Sequence, residues 1–91
     1  MWPTSGLTSV FMAKRAVRLA LTRMMLANGT AQRLRERAGL SRRDIARDLD
    51  VTESTYSRWE AGLRSPRPDV ALRLGDLLGE LQELDEPQGG A

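Results

Sequence analysis

Residues 39–66 read GLSRRDIARDLDVTESTYSRWEAGLRSP and hold two short helical signatures with almost nothing between them. Ser41 offers a hydroxyl that can accept from the free N–H groups of a helix start, and Asp44 in the first turns suits the positive end of the helix dipole. Ile45 and Leu49 follow, four apart on one helical face. Asp50 and Val51 leave room only for a tight turn before Thr52, a second capping residue, opens a helix to about Glu60 that Ala61 and Gly62 end. Tyr56 and Trp59, two of the chain's four aromatic residues, stand three apart in that second helix. Either they form a platform for stacked bases or they are the hidden side of the helix.

The spacing favours the hidden side. Two helices of about eight residues joined by a tight turn, the second followed by Gly, are the sequence form of a helix-turn-helix. So short a connection forces a steep crossing angle. Ile45, Ala46 and Leu49 then bury against Val51, Tyr56 and Trp59, with Ala46 small enough for close approach, and the far side of the second helix is left facing out.

Outward from this stretch the pattern stays helical, and no run alternates with period two long enough to suggest a strand. Residues 10–28 form an amphipathic helix: Val10, Ala13, Val17, Ala20, Leu21 and Met24 fall on one side, with Lys14, Arg15 and Arg18 on another. Asn28 and Gly29 suit a left-handed helix end, and Thr30 is placed to cap the next start. "TAQRLRERA", residues 30–38, has Leu34 as its inward anchor, Gly39 as its end, and Arg33, Arg35 and Arg37 as solvated surface. "LRSPRP" reads as loop, because residues before Pro66 and Pro68 are pushed out of the helical region. Pro68 suits a first helical position and Asp69 its dipole, with Ala71, Leu72, Leu74, Leu77, Leu78 and Leu81 as the apolar side and Gly79 as a stop or bend. A core of this size cannot bury Leu77, Leu78, Leu81 and Leu84 together, so part of that side is free for a dimer seam. Residues 1–9 are expected to be a loose end and residues 85–91 a disordered tail, leaving 29–84 as the domain.

Composition narrows the function classes. The chain of 91 residues has room for one core. It has no Cys and no His, so thiolate sites, disulfides and the commonest metal ligand and general base are all missing. A single Lys, on an exposed helix, leaves catalysis to carboxylates, and no phosphate-cradling glycine loop is present. We therefore expect no enzyme, no metal and no cofactor. No apolar run is long enough for a bilayer, and the reading is a cytoplasmic protein with no membrane partner. The net charge is only +2, but it is unevenly spread: residues 1–67 hold thirteen basic against six acidic residues, and residues 68–91 hold Arg73 against six acids. A basic body with an acidic end is an asymmetry that nucleic-acid binders show.

The quoted stretch, with its Gly-Leu-Ser start, central Ile-Ala, turn Val-Thr, Ser-Arg-Trp-Glu and trailing Gly, resembles the helix-turn-helix of the Cro/Xre family of phage and bacterial repressors, over about residues 30–78. The resemblance implies an all-α, lambda-repressor-like bundle of four to five helices, here with an extra N-terminal amphipathic helix. It also implies a homodimer on double-stranded DNA. Carried over by position, Glu53, Ser54, Ser57 and Arg58 become the base-contacting group, and the helical wheel agrees in placing them opposite Tyr56 and Trp59. Arg58 can donate twice to guanine, the serines can meet donors or acceptors, and Glu53 can accept from cytosine. The resemblance places phosphate contacts at Arg42, Arg43, Thr52, Arg64 and Arg67.

Two departures stand out: Asp50 occupies a turn where the family often has Gly, and Arg42 stands where Gln is common. Asp tolerates the left-handed region better than most residues. The competing structural role for Arg58 is an ion pair with Glu60 or with an acid of the preceding helix, and for Glu53 it is the helix dipole alone. The function read from the sequence is thus a sequence-specific DNA-binding regulator acting as a repressor. The alternative is an antitoxin or adaptor whose helix over residues 10–26 binds a partner protein.

Overall fold

The turn chemistry of residues 39–66 is realised in the computed structural model, which describes residues 14–85. The chain is an all-α bundle, with no strand among the described residues: α1 (Arg15–Ala27), α2 (Thr30–Arg37), α3 (Arg42–Leu49), α4 (Glu53–Glu60) and α5 (Pro68–Asp85). The expected loose end at 1–9, the first turn of the N-terminal helix and the tail from residue 86 lie outside the described residues.

Capping sets the helix bounds. At α3 the Ser41 hydroxyl accepts from Asp44 N–H at 3.1 Å, while the Asp44 carboxylate accepts from Ser41 N–H at 2.8 Å, so each residue satisfies the other's free donor. At α4 the Thr52 hydroxyl accepts from Thr55 N–H at 3.1 Å. The helices α2, α3 and α4 all end the same way, with a residue at positive φ and the next N–H reaching back five residues: Leu40 to Arg35, Val51 to Ala46 and Leu63 to Arg58. At two of these ends the left-handed residue is Gly; at α3 it is Asp50, with φ of 60°. The start of α2 differs from expectation. Gly29 is its N-cap, and the accepting side chain belongs to Asn28, whose Oδ1 takes the Thr30 N–H at 3.0 Å, because Thr30 is already helical.

The core gathers Leu26, Ala31, Leu34, Ile45, Ala46, Leu49, Tyr56, Trp59, Leu74, Leu78 and Leu81. Tyr56 and Trp59 meet edge to face, ring centroids 5.9 Å apart, a favoured aromatic geometry. The last helix, α5, lies along α1 and α2 and reaches α3, while α3 packs on α4. It runs unbroken through Gly79, which neither stops it nor ends it, since the burial of Leu78 and Leu81 on either side holds the helix in register.

The face that α1 turns to the bundle is not its apolar side. Thr22 and Leu26 are its buried residues, whereas Val17, Leu21 and Met24 of the apolar side remain 50%, 49% and 57% exposed, and Ala20 is exposed too. The reason lies on α5: at Gly75 the two helices come so close that an added methyl would collide with Thr22 Oγ1. Thr22 can face this contact because its hydroxyl donates to Arg18 C=O at 3.0 Å within its own helix, so no polar atom is stranded.

Candidate nucleic-acid interface

Helix α4 is amphipathic across its short length: Tyr56 and Trp59 are buried, Glu53, Ser54 and Arg58 are exposed, and Ser57 is half-buried between the two sides. The outward residues line one open depression together with Ala61 and Leu63. A second depression, between α3 and α4, is lined by Arg43, Ala46, Arg47, Asp50, Val51 and Glu53. Glu53 belongs to both and so stands where the two helices meet.

Of the residues expected at phosphates, Arg43 is thus brought beside the α4 set. Arg64 adjoins it through the chain, its N–H donating to Arg58 C=O at 3.4 Å. Arg67 is exposed in the segment before α5, where its C=O accepts from Ala71 N–H at 2.7 Å, and buried Pro66 pins the loop between these two arginines. Thr52 is exposed, but its hydroxyl is engaged in the cap and donates to Thr55 Oγ1 at 2.8 Å. Arg42 is half exposed, with Nε 3.4 Å from Glu60 Oε1.

Arg47 joins Arg43 in the second depression and was not among the expected contacts. Its signal was available: Arg43 and Arg47 are four apart and share a face of α3. Asp44 sits beside these cations. Hydrogen bonds from the Ser41 N–H and hydroxyl, followed by the charges of Arg47 and Arg43, hold its carboxyl below the usual range, so it stays ionised and offsets part of the local positive field.

The base of α4 is anchored by a buried ion pair. Arg35 Nε and NH2 donate to the two Glu60 carboxylate oxygens at 2.8 and 3.0 Å, and its NH1 donates to Leu40 C=O at 3.0 Å. The side chains are 7% and 4% exposed. This corrects one expectation, since Arg35 is not solvated surface, and it leaves the competing role of Arg58 without its nearer acid, since Glu60 is taken by Arg35 and Arg42. Burial pushes the Glu60 carboxyl up, but the Arg35 hydrogen bonds and the charges of Arg35 and Arg42 outweigh it and hold it below its usual value. The Tyr56 hydroxyl is drawn toward the same carboxylate but falls outside hydrogen-bond geometry; burial first, and then Glu60, push its pKa up. With Glu60 committed inward, the Arg58 guanidinium is left on the outer face of α4.

The arrangement is a short helix, anchored at its C-terminal end, that presents a guanidinium, two hydroxyls and a carboxylate beside a cluster of arginines. Such a set offers both donors and acceptors to the edges of base pairs. A family model described as a helix-turn-helix domain matches residues 29–86. No curated protein and no solved structure matches the chain.

Proposed function

We propose, from the premise that this chain belongs to the helix-turn-helix domain family, that it is a sequence-specific regulator of the Cro/Xre type that represses transcription by occupying double-stranded DNA, with α4 in the major groove. The family supplies the general function, a DNA-binding transcription regulator. The observation that carries the finer reading is the two-sidedness of α4: its aromatic residues are buried, so Glu53, Ser54, Ser57 and Arg58 are what a groove would meet. In this reading Arg58 pairs with guanine, and Arg42, Arg43, Thr52, Arg64 and Arg67 serve the phosphates, with Arg47 added to them. The protein acts in the cytoplasm as a homodimer on two-fold related half-sites, and it needs no cofactor.

The test is selection of binding sites from random duplexes at moderate salt. A short two-fold related motif is expected, and the absence of any enriched sequence would sink the reading. Arg58→Ala should cost about 1–3 kcal/mol per half-site and relax one base position. If about four phosphates are neutralised per subunit, a dimer's log–log salt slope is near −7.

A second reading, an antitoxin or adaptor whose N-terminal helix binds another protein, draws on the exposed Val17, Leu21 and Met24 of α1. Co-purification of a different protein, lost on changing these residues, would support it.

A further inference from the structure

The outward face of α1 runs from Arg23 round to Lys14 through Ala16, Val17, Ala20, Leu21, Met24 and Ala27, all exposed and none charged. Nothing in the bundle covers this strip among the described residues, yet it is the side an amphipathic helix ordinarily buries. Its surroundings limit what can cover it. Every charged residue from Lys14 to Ala27 is basic, whereas the exposed side of the neighbouring α5 carries Asp69, Asp76 and Glu80 against the one cation Arg73, which is turned to the Asp48 C=O of α3. The two faces meet at a seam marked by the ion pair of Arg18 NH2 with Asp76 Oδ1, 2.8 Å apart and partly exposed. An apolar strip with a basic rim therefore lies directly beside an acidic face.

We propose that this surface is the dimer interface, with a second copy of the chain as its occupant; the proposal deepens the dimeric reading above by assigning its surface. A two-fold axis through the strip sets Val17, Leu21 and Met24 of one protomer on the same residues of its partner, and Ala16 and Ala20 let the helices approach closely. The same axis brings each basic rim toward the partner's acidic α5. In the antiparallel pairing this requires, Lys14 and Arg15 come to the partner helix's C-terminal end, where nothing after Arg23 is charged and the carbonyl dipoles favour cations. An anionic membrane fits less well, because it would press negative headgroups against the acidic side of α5. Three half-exposed side chains cover only part of the ~800 Å² per partner of a standard interface, so the dimer is reversible, dissociating at roughly 1–100 µM.

The experiment is sedimentation of the full chain from about 1 to 300 µM, a span that brackets that range. Wild type should pass from monomer to dimer, and Leu21→Glu should weaken association by about 100-fold or more, because each dimer would have to bury two carboxylates. Circular dichroism should show Leu21→Glu folded, since the side chain points outward. A second variant, Glu80→Lys, should weaken association about 10-fold by reversing an acid that faces the basic rim. A wild type that stays monomeric throughout, or a Leu21→Glu that dimerises like wild type, overturns the proposal; so does binding of a monomer to vesicles of anionic lipid through this face. Sedimentation needs no DNA, so a failed site selection would sink the DNA reading without deciding the interface. Conversely, Leu21→Glu that binds one half-site like wild type but loses cooperativity on two supports both.

Discussion

Two helix pairs in this molecule are held together in opposite ways. The pair α3–α4 is joined by a turn of a few residues and fixed by local devices: the mutual cap of Ser41 and Asp44, the left-handed Asp50, and the Thr52 cap. The pair α1–α5 is brought together from the two ends of the described chain and fixed by shape, a threonine seated over a glycine. The first presents a fixed outer face of polar residues, and the second leaves an apolar face open. The end of α4 further depends on charge balance where Glu60 meets Arg35 of α2 and Arg42 of α3, whereas the contact of α1 with α5 depends on volume.

The largest effect should come from the anchor. Glu60→Ala leaves Arg35 buried at 6% exposure without its carboxylate, and removing one partner of a buried pair costs about 3–5 kcal/mol, to be read as a fall in the urea midpoint. If the pair is an anchor by charge balance rather than by attraction, Arg35→Met with Glu60→Leu should recover most of that loss. A double variant as unstable as Glu60→Ala would break the comparison. The same carboxylate gives a pH signature. Because its folded value is depressed, its contribution is fully present above its ordinary value of 4.5 and is lost as pH falls below 4.5 through the folded value. Glu60→Gln should therefore lose stability less steeply on acidification, with Asp44, depressed in the same direction, responsible for part of the slope that remains.

At the other pair the sensitive quantity is volume. Gly75→Ala puts a methyl on Thr22 Oγ1 at the closest point of α1 and α5, and overpacking of this kind costs about 1–3 kcal/mol even though alanine is the better helix former. Thr22→Ala should relieve it: in a double-mutant cycle the two changes together should cost less than their sum. Additive losses would mean that the helices do not meet here.

This contrast also explains what the sequence disclosed. Ser41, Thr52, Asp50, Gly62 and the inward Tyr56 and Trp59 act within a turn or two of their own positions, so reading along the chain finds them. The polar set of α4 was legible as outward facing from the wheel alone, while its proposed role at bases rests on likeness to a repressor family. The inward face of α1 was not legible, because it is decided by where α5 lacks a side chain, and a polarity scale ranks Thr22 below Leu21 although its hydroxyl is satisfied by its own helix. Arg35 was misread for the same reason: its partner stands 25 residues away, and within its own helix it looks like any surface arginine.

The smallest effect should come from the turn between α3 and α4, and it carries the opposite sign. Asp50 adopts φ of 60° in a position where Val51 N–H must reach back to Ala46 C=O, so the turn has one acceptable conformation and it is left-handed. A residue with a Cβ is strained there, and Asp50 is exposed, so nothing else is lost by removing its side chain. Asp50→Gly should raise stability by about 0.5–1 kcal/mol, read as a higher urea midpoint, while Asp50→Val should lower stability, because a β-branched residue is strongly disfavoured at positive φ. The α4 face depends on this turn for its crossing angle but not on the carboxylate, so DNA affinity on one half-site should be unchanged by glycine or modestly raised by removal of a negative charge beside Arg43, Arg47 and Glu53. A loss of DNA binding in a stabilised Asp50→Gly protein would instead mean that the acid takes part in recognition, and that the local pair, too, is strained in the service of its outer face.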